Sequence, residues 1–301
     1  MAEKKVEVSQ DIEVSQEDID NVMGKPQKSA QEIETEQIKE TMGNIKHRII
    51  VCSGKGGVGK STVSTNLAIS LASQGFAVGI LDVDITGPNV PKMLGVDGQR
   101  PDVIPGENKF IPINGPLNIK VMSMAFLLES PDTPVIWRGP VKMKALRQFI
   151  TDGSWGELDY LIADLPPGTS DETLDVMQIM DGSVVIVTTP QEIATLDARK
   201  TVEMAKKMNR PILGIIENMS GLTVKCDHCG EEKHVDLFGS GGGEKAAADL
   251  DVTFLGKIPI EQGIMEGGDA GKPFMWSNPD SVSAKAFAEV VKAIRSGLGE
   301  N

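Results

Sequence analysis

The chain has 301 residues and a net charge of −13, with 40% hydrophobic, 24% charged and 4% aromatic residues. That length supports one large or two modest domains with a real core, and the acidity speaks against nucleic acid, whose phosphates call for clustered Lys and Arg. No run of about 18 apolar residues occurs, so no membrane partner is expected through a spanning helix. The polar, acidic start does not read as a secretory signal, and three cysteines fit a reducing cytoplasmic compartment better than a disulfide framework.

Residues 1–46 contain no aromatic residue and are dense in Glu, Gln, Lys and Ser, with "EVSQ" at Glu7–Gln10 echoed at Glu13–Gln16. Such a stretch buries too little apolar surface to offset ordering, so it is expected to be a mobile acidic arm with a transient helix over residues 29–42. From His47 onward the pattern changes, and residues 47–301 read as one domain. "RIIVCSG" is an apolar run ending in glycine, "KSTVSTNLAISLASQG" has helical spacing and a glycine stop, and "AVGILDVD" is a second strand. Residues 102–135 break this rhythm and are expected to form a hairpin-like insertion. Further strands are expected at "YLIADLP", "SVVIVTTP", "ILGIIENMS" and "VTFLGKIP", with "TLDARKTVEMAKKMN" among the intervening helices and "SVSAKAFAEVVKAIRSGL" closing the domain. Alternating strands and helices imply right-handed crossovers: an α/β fold with a doubly wound, mostly parallel sheet.

"GKGGVGKS", Gly54–Ser61, matches the phosphate-loop pattern and sits where its mechanism requires, after an apolar strand and opening a helix. The expected binding stretch is Gly54, Lys55, Gly56, Gly57, Val58, Gly59, Lys60, Ser61 and Thr62. Its glycines let backbone N–H groups curl around phosphate, and the helix N-terminus adds partial positive charge. Lys60 is expected at the β- and γ-phosphates of ATP, and the Ser61 hydroxyl on Mg²⁺. Carboxylates recur at strand ends, where ligands bind in open α/β sheets: Asp82 and Asp84 in "LDVDITGPN", and Asp164 in "YLIADLPPGTSDE". An aspartate after four apolar residues is the Walker B arrangement, which puts Asp164 in the Mg²⁺ shell. Each aspartate alone also suits a cap or turn. The Pro-Pro-Gly that follows is expected to let the Gly168 N–H face the γ-phosphate.

Lys55 is not demanded by a phosphate loop. "KGGVGK" resembles the deviant Walker motif of the MinD, ParA, ArsA and nitrogenase-iron-protein superfamily of P-loop ATPases. The resemblance implies that Lys55 reaches the nucleotide of a partner subunit in a sandwich homodimer, that Asp84 orients the attacking water and is catalytic with Lys55 and Lys60, and that Asp82 supports the metal. It also implies that Asn218, in "ENMS", meets the purine base, with ordinary turn chemistry as the competing reading.

Cys226 and Cys229, in "KCDHCG", have clamp spacing but supply only two of the four ligands a soft-metal site wants. The region from "NMSG" through "CDHCG" to "FGSGGGE", with "VIWRGP" at Val135–Pro140 and "DVDITGPN", resembles the Mrp/ApbC branch of iron–sulfur cluster carriers. That resemblance spans residues 47 to about 295. It implies that two copies of Cys226 and Cys229 hold one [4Fe–4S] cluster across a dimer axis and deliver it to apo iron–sulfur proteins. Relatives with a further cysteine cluster in the arm exist among eukaryotes; this arm has no cysteine, which fits the prokaryotic type. His228 and His234 leave zinc open as an alternative, as does a four-thiolate zinc site across the dimer. A MinD- or ParA-like positioning ATPase is the competing function, although "AIRSGLGEN" lacks the basic face and bulky apolar residues of a membrane-seeking tail. Cys52 is expected to be buried packing, and the cysteine pair is expected on elements separate from the phosphate loop.

Overall fold

The structure, a computed structural model, describes residues 29–85, 87–107, 109–128, 139–226 and 228–300. Two units are distinguished, Met1–Glu36 and Gln37–Asn301. Most of the expected arm, and most of "VIWRGP", lies outside the described residues. Helix α1 spans Ala30–Gly43. Its start follows from a capping box: the Ser29 N–H donates to Glu32 Oε2 at 2.8 Å, and the Glu32 N–H returns to Ser29 Oγ at 3.3 Å. Within the second unit, Met42 is buried and Ile38 packs against the core.

The remaining elements, in order, are β1 (Ile45–Cys52), α2 (Lys60–Ser73), β2 (Val78–Asp82), α3 (Val90–Met93), β3 (Asp102–Val103), β4 (Phe110–Ile111), β5 (Ile113–Asn114) and β6 (Lys120–Ser123). There follow α4 (Gly139–Thr151), β7 (Leu158–Asp164), α5 (Asp171–Met180), β8 (Ser183–Thr188), α6 (Glu192–Lys207), β9 (Ile212–Lys225) and β10 (Glu232–Val235). The last are α7 (Gly242–Asp249), β11 (Phe254–Ile260), α8 (Gln262–Asp269), α9 (Phe274–Ser277) and α10 (Val282–Gly297). A nine-stranded sheet runs β10-β9-β8-β1-β7-β2-β6-β5, with β11 also paired to β9. The pairs among β6, β2, β7, β1, β8, β9 and β11 are parallel; β10 and β5 add antiparallel edges.

The central strands are buried on both faces, which is why they read as unbroken apolar runs: every residue of β2 and the last six of β7 but one lie at less than a tenth exposure or fully buried. Helix α2 is buried from Lys60 through most of its length. Its Ser, Thr and Ala side chains let it lie close beneath the strands, and α10 packs outside it, burying Phe287, Val290, Val291 and Ile294.

The expected insertion over 102–135 needs correction in one respect. β3 and β4 do form an antiparallel pair, but Lys120–Ser123 joins the main sheet as β6, parallel to β2. Four residues between irregular segments are too short for periodicity to reveal. β9 also outruns its expected length. It continues past "ENMS" to Lys225 because β10 pairs with its last four residues.

At the sheet end where β1 and β7 begin, Glu300 is held by Lys46, by Tyr160 OH, by His47 Nε2 at 2.8 Å and by Arg295 Nε at 3.4 Å. The Lys46 ammonium, then the Tyr160 hydroxyl and His47, bring the Glu300 carboxyl from 4.5 down to about 2. A depressed carboxyl stabilises the fold above its unfolded value, and that contribution disappears as pH falls from about 4.5 towards 2. Glu300→Gln should therefore lower the melting temperature at pH 7 by about 2–4 °C, and the gap to wild type should close in acid. A gap that widens in acid would contradict this role.

Candidate functional site

The phosphate loop leaves β1 and enters α2 through glycines that the geometry requires. Gly57 and Gly59 both have φ of 79°, in the left-handed region. A Cβ on Gly59 would collide with Asn218 Nδ2, and one on Gly54 with the backbone of Asp197 in α6. The Val63 N–H donates to Gly59 O at 2.9 Å, so the helix starts directly from the loop.

Asp164 ends β7 beside Val51 of β1 and Asp82 of β2. It is fully buried and accepts three side-chain donors: Lys60 Nζ at 2.9 Å and Ser64 Oγ at 2.7 Å on Oδ1, and Ser61 Oγ at 2.6 Å on Oδ2. The lysine supplies the charge that a buried carboxylate needs. Asp82, also fully buried, accepts from Ser123 Oγ at 3.0 Å, the Val90 N–H at 3.3 Å and the Asp84 N–H at 3.2 Å. Burial first, and then the adjacent Asp164 charge, push its carboxyl well above the ordinary aspartate range. Asp84 accepts the Gly87 N–H at 3.2 Å.

Lys55 through Thr62, together with Asp84, line one cavity of about 200 Å³. Thr62 and Met93 also border a second, largely apolar cavity of about 290 Å³ between Asn218, Ile258, Pro259 and Phe274. The donor set suits a divalent cation: Ser61 lines the first cavity and its hydroxyl donates to the Asp164 carboxylate buried behind it. Asp82 stands behind them with its oxygens taken by local donors, in a supporting place. Asn218 is positioned by the phosphate loop itself, donating to Val58 O at 2.9 Å while bordering the apolar cavity. The Gly168 N–H donates to Ser53 O at 2.8 Å, so in this structure it is turned to the loop backbone. Lys55 is half-buried and forms no ion pair among the described residues.

Cys226 and Cys229 are exposed at the tip of the β9–β10 hairpin. The Cys226 N–H donates to Glu231 O and the Gly230 N–H to Cys226 O, each at 2.8 Å, which closes a tight knuckle; Gly230 has φ of 73°. Backbone N–H groups of Cys229 and then His228, followed by the Cys229 thiol, draw the Cys226 thiol below its ordinary value, favouring thiolate. Among the described residues, no group of three His, Cys, Asp or Glu side chains could hold a metal. His234 is engaged elsewhere, with Asp236 Oδ1 at 3.1 Å, so the Cys₂His₂ arrangement is not assembled from these residues. Cys52 is buried in β1, and burial pushes its thiol upward.

The cysteines lie between β9 and β10 and the phosphate loop between β1 and α2, as expected, yet one strand links the two. β9 carries both Asn218, bonded to the loop, and, just past its end, Cys226. Sequence reasoning also missed Ser64 and Ser123, the hydroxyls that hold Asp164 and Asp82. Ser64 had a signal, standing one helical turn after Lys60 and Ser61 on the face that meets β7.

A family profile for the ParA-related NUBPL iron-transfer P-loop NTPases matches residues 44–295. The chain belongs to that family. An iron-sulfur cluster carrier protein of Methanocaldococcus jannaschii is 51% identical over 86% of this chain and 87% of its own length. One of Saccharolobus solfataricus is 47% identical over 86% of each. Among solved structures, a nucleotide-binding protein from Archaeoglobus fulgidus in complex with ADP is 40% identical with a TM-score of 0.69, covering 80% of this chain and 93% of that one. The cell division ATPase MinD of Pyrococcus furiosus is 25% identical with a TM-score of 0.60, covering 83% and 99%. This NUBPL-family chain is thus a P-loop NTPase with a mostly parallel α/β sheet. No helix among its described residues is long and apolar enough to cross a membrane.

Ser64→Ala removes one of three donors to the buried Asp164 carboxylate. It should lower the unfolding free energy by about 1–2 kcal/mol in urea and slow NTP hydrolysis without abolishing it, because Lys60 and Ser61 remain. Unchanged stability would show that the third donor is dispensable.

Proposed function

We propose that this chain is a Mg²⁺-dependent ATPase that carries a [4Fe–4S] cluster between two copies of itself and delivers it to apo iron–sulfur proteins in the cytoplasm. The observation that carries this reading is the exposed, two-thiol knuckle with no third ligand among the described residues, built into the same unit as a phosphate site. Two copies of the knuckle supply the four thiolates such a cluster takes. The names of the M. jannaschii and S. solfataricus relatives point the same way.

In the nucleotide site, Lys60 would move from Asp164 to the β- and γ-phosphates, leaving Asp164 and Ser61 to hold Mg²⁺, with Asp82 in support. The cation supplies charge neutralisation for phosphoryl transfer. Asp84, on the cavity wall, orients the attacking water, and Lys55, unpaired with any described acid, reaches the nucleotide of the other copy. Asn218 and the apolar cavity beside it receive the base, and the loop glycines from Gly54 to Gly59 the phosphates. The acidic arm that precedes this ATPase domain is shorter than residues 1–46, because Met42 and Ile45 already belong to the domain's core.

Anaerobic reconstitution with iron and sulfide should load about four irons per two chains. Cys226→Ser and Cys229→Ser should each eliminate loading, since a hydroxyl is a poor ligand for thiolate-held iron; Cys52→Ser should load normally. A metal content that proves to be zinc, or iron retained without Cys226, would overturn the proposal.

A further inference from the structure

Glu217, the residue before Asn218, has no part in the nucleotide site, yet its side chain is among the most deliberately accommodated in the molecule. It is fully buried, with no salt bridge among the described residues, and the Lys257 ammonium, bridged to Glu244, acts on it only through space. A carboxylate so placed costs several kcal/mol unless donors surround it. Three do. Oε1 accepts from Ser220 Oγ at 2.6 Å and from the Gly241 N–H at 3.1 Å, and Oε2 accepts from the Gly243 N–H at 2.6 Å. The latter two open α7, so the carboxylate also meets the positive end of that helix. The glycines allow the approach. Gly241 has φ of 77°, and a Cβ on Gly243 would press to 3.0 Å from Glu217 Cβ.

These donors stand on either side of the cysteine hairpin in sequence. Ser220 is where β9 bends on its way towards Cys226: Met219 has φ of 56° and Gly221 of 81°, and the pairing with β11 slips between Ile258 and Ile260 before resuming at Leu222. Gly241 and Gly243 are where the chain returns. Between them the β9–β10 hairpin pairs with β11 only through Leu222, opposite Ile260, and beyond it is exposed and pairs with itself from Thr223 to Lys225. Glu217 therefore fastens both feet of the hairpin to one point. Adjacent strand residues face opposite sides of the sheet, and on the other side Asn218 grips Val58 O of the phosphate loop.

We infer that Glu217 is a positioning residue that ties the cysteine hairpin to the strand gripping the phosphate loop, so that nucleotide occupancy sets the placement of Cys226 and Cys229. The inference rests on the proposed function for its use, but its test needs no cluster. Iodoacetamide alkylation of Cys226 and Cys229 is followed by mass spectrometry in the reduced, cluster-free full-length chain, with and without Mg-ADP. In wild type, nucleotide should change the rate about fivefold or more, the low end of ordinary coupling between sites. Glu217→Gln replaces one acceptor oxygen by an amide that faces N–H donors. It should flatten the response while leaving basal kcat and KM for ATP within about twofold. Ser220→Ala, which leaves the carboxylate intact, should reduce the response partway, and it carries the test if Glu217→Gln does not fold. A full response in Glu217→Gln or Ser220→Ala, or a basal kcat that falls together with the melting temperature, would overturn the inference. Wild-type thiols indifferent to bound nucleotide would overturn it too and leave the proposed function standing; a wild-type chain that binds no nucleotide would end both.

Discussion

The buried Asp164 carboxylate is the constraint on which the nucleotide half of the structure depends. It is sealed from solvent at the end of a central strand, and only the Lys60 ammonium and two serine hydroxyls make that burial tolerable. All three donors belong to the first turns of α2. Satisfying one carboxylate therefore docks the helix, fixes the exit of the phosphate loop and holds β1 and β7 in register. The small side chains of α2 follow from the same demand, because the helix must lie deep enough to bring its first turn to the carboxylate. In the proposed function this arrangement is also chemically poised. Phosphate oxygens compete for the same ammonium, and the carboxylate that loses it gains a cation.

Much of this was legible in the amino-acid order because its physics is local. Glycines at the left-handed positions of the loop, an apolar strand before it and a helix after it define the phosphate site without tertiary information, and the central strands betray themselves by being apolar on both faces. What escaped was set by long-range contacts. Ser64 and Ser123 are ordinary polar residues until the fold places a buried carboxylate opposite them. β6 is too short to show a period and becomes a strand only because β2 offers an open edge. The length of β9 depends on β10, which follows it across the knuckle. Glu217 reads like a strand-terminal turn residue, and its burial depends on backbone N–H groups more than twenty positions away.

The shared strand changes how the two halves of the molecule relate. β9 lies in the sheet through Asn218, bends at Met219 and Gly221, meets β11 once more at Leu222, and then stands out as one arm of the hairpin that presents the thiols. A phosphate loop and a thiol knuckle on unrelated loops would communicate only through the bulk of the domain. Here seven residues of one strand separate the asparagine bonded to the loop from the first cysteine. The knuckle itself is organised before any cargo arrives, since backbone N–H groups already favour the thiolate form of Cys226. In the proposed function, an exposed pair so prepared, with two ligands fewer than a cluster requires, is a half-site that a second copy completes.

Native mass spectrometry of the anaerobically loaded protein tests that claim most directly. The proposed carrier predicts a species of two chains holding one [4Fe–4S] cluster, which falls to single chains or an unloaded pair when apo iron–sulfur protein takes the cluster. A loaded species of one chain with its own metal, or a pair that holds zinc in place of the cluster, would contradict it.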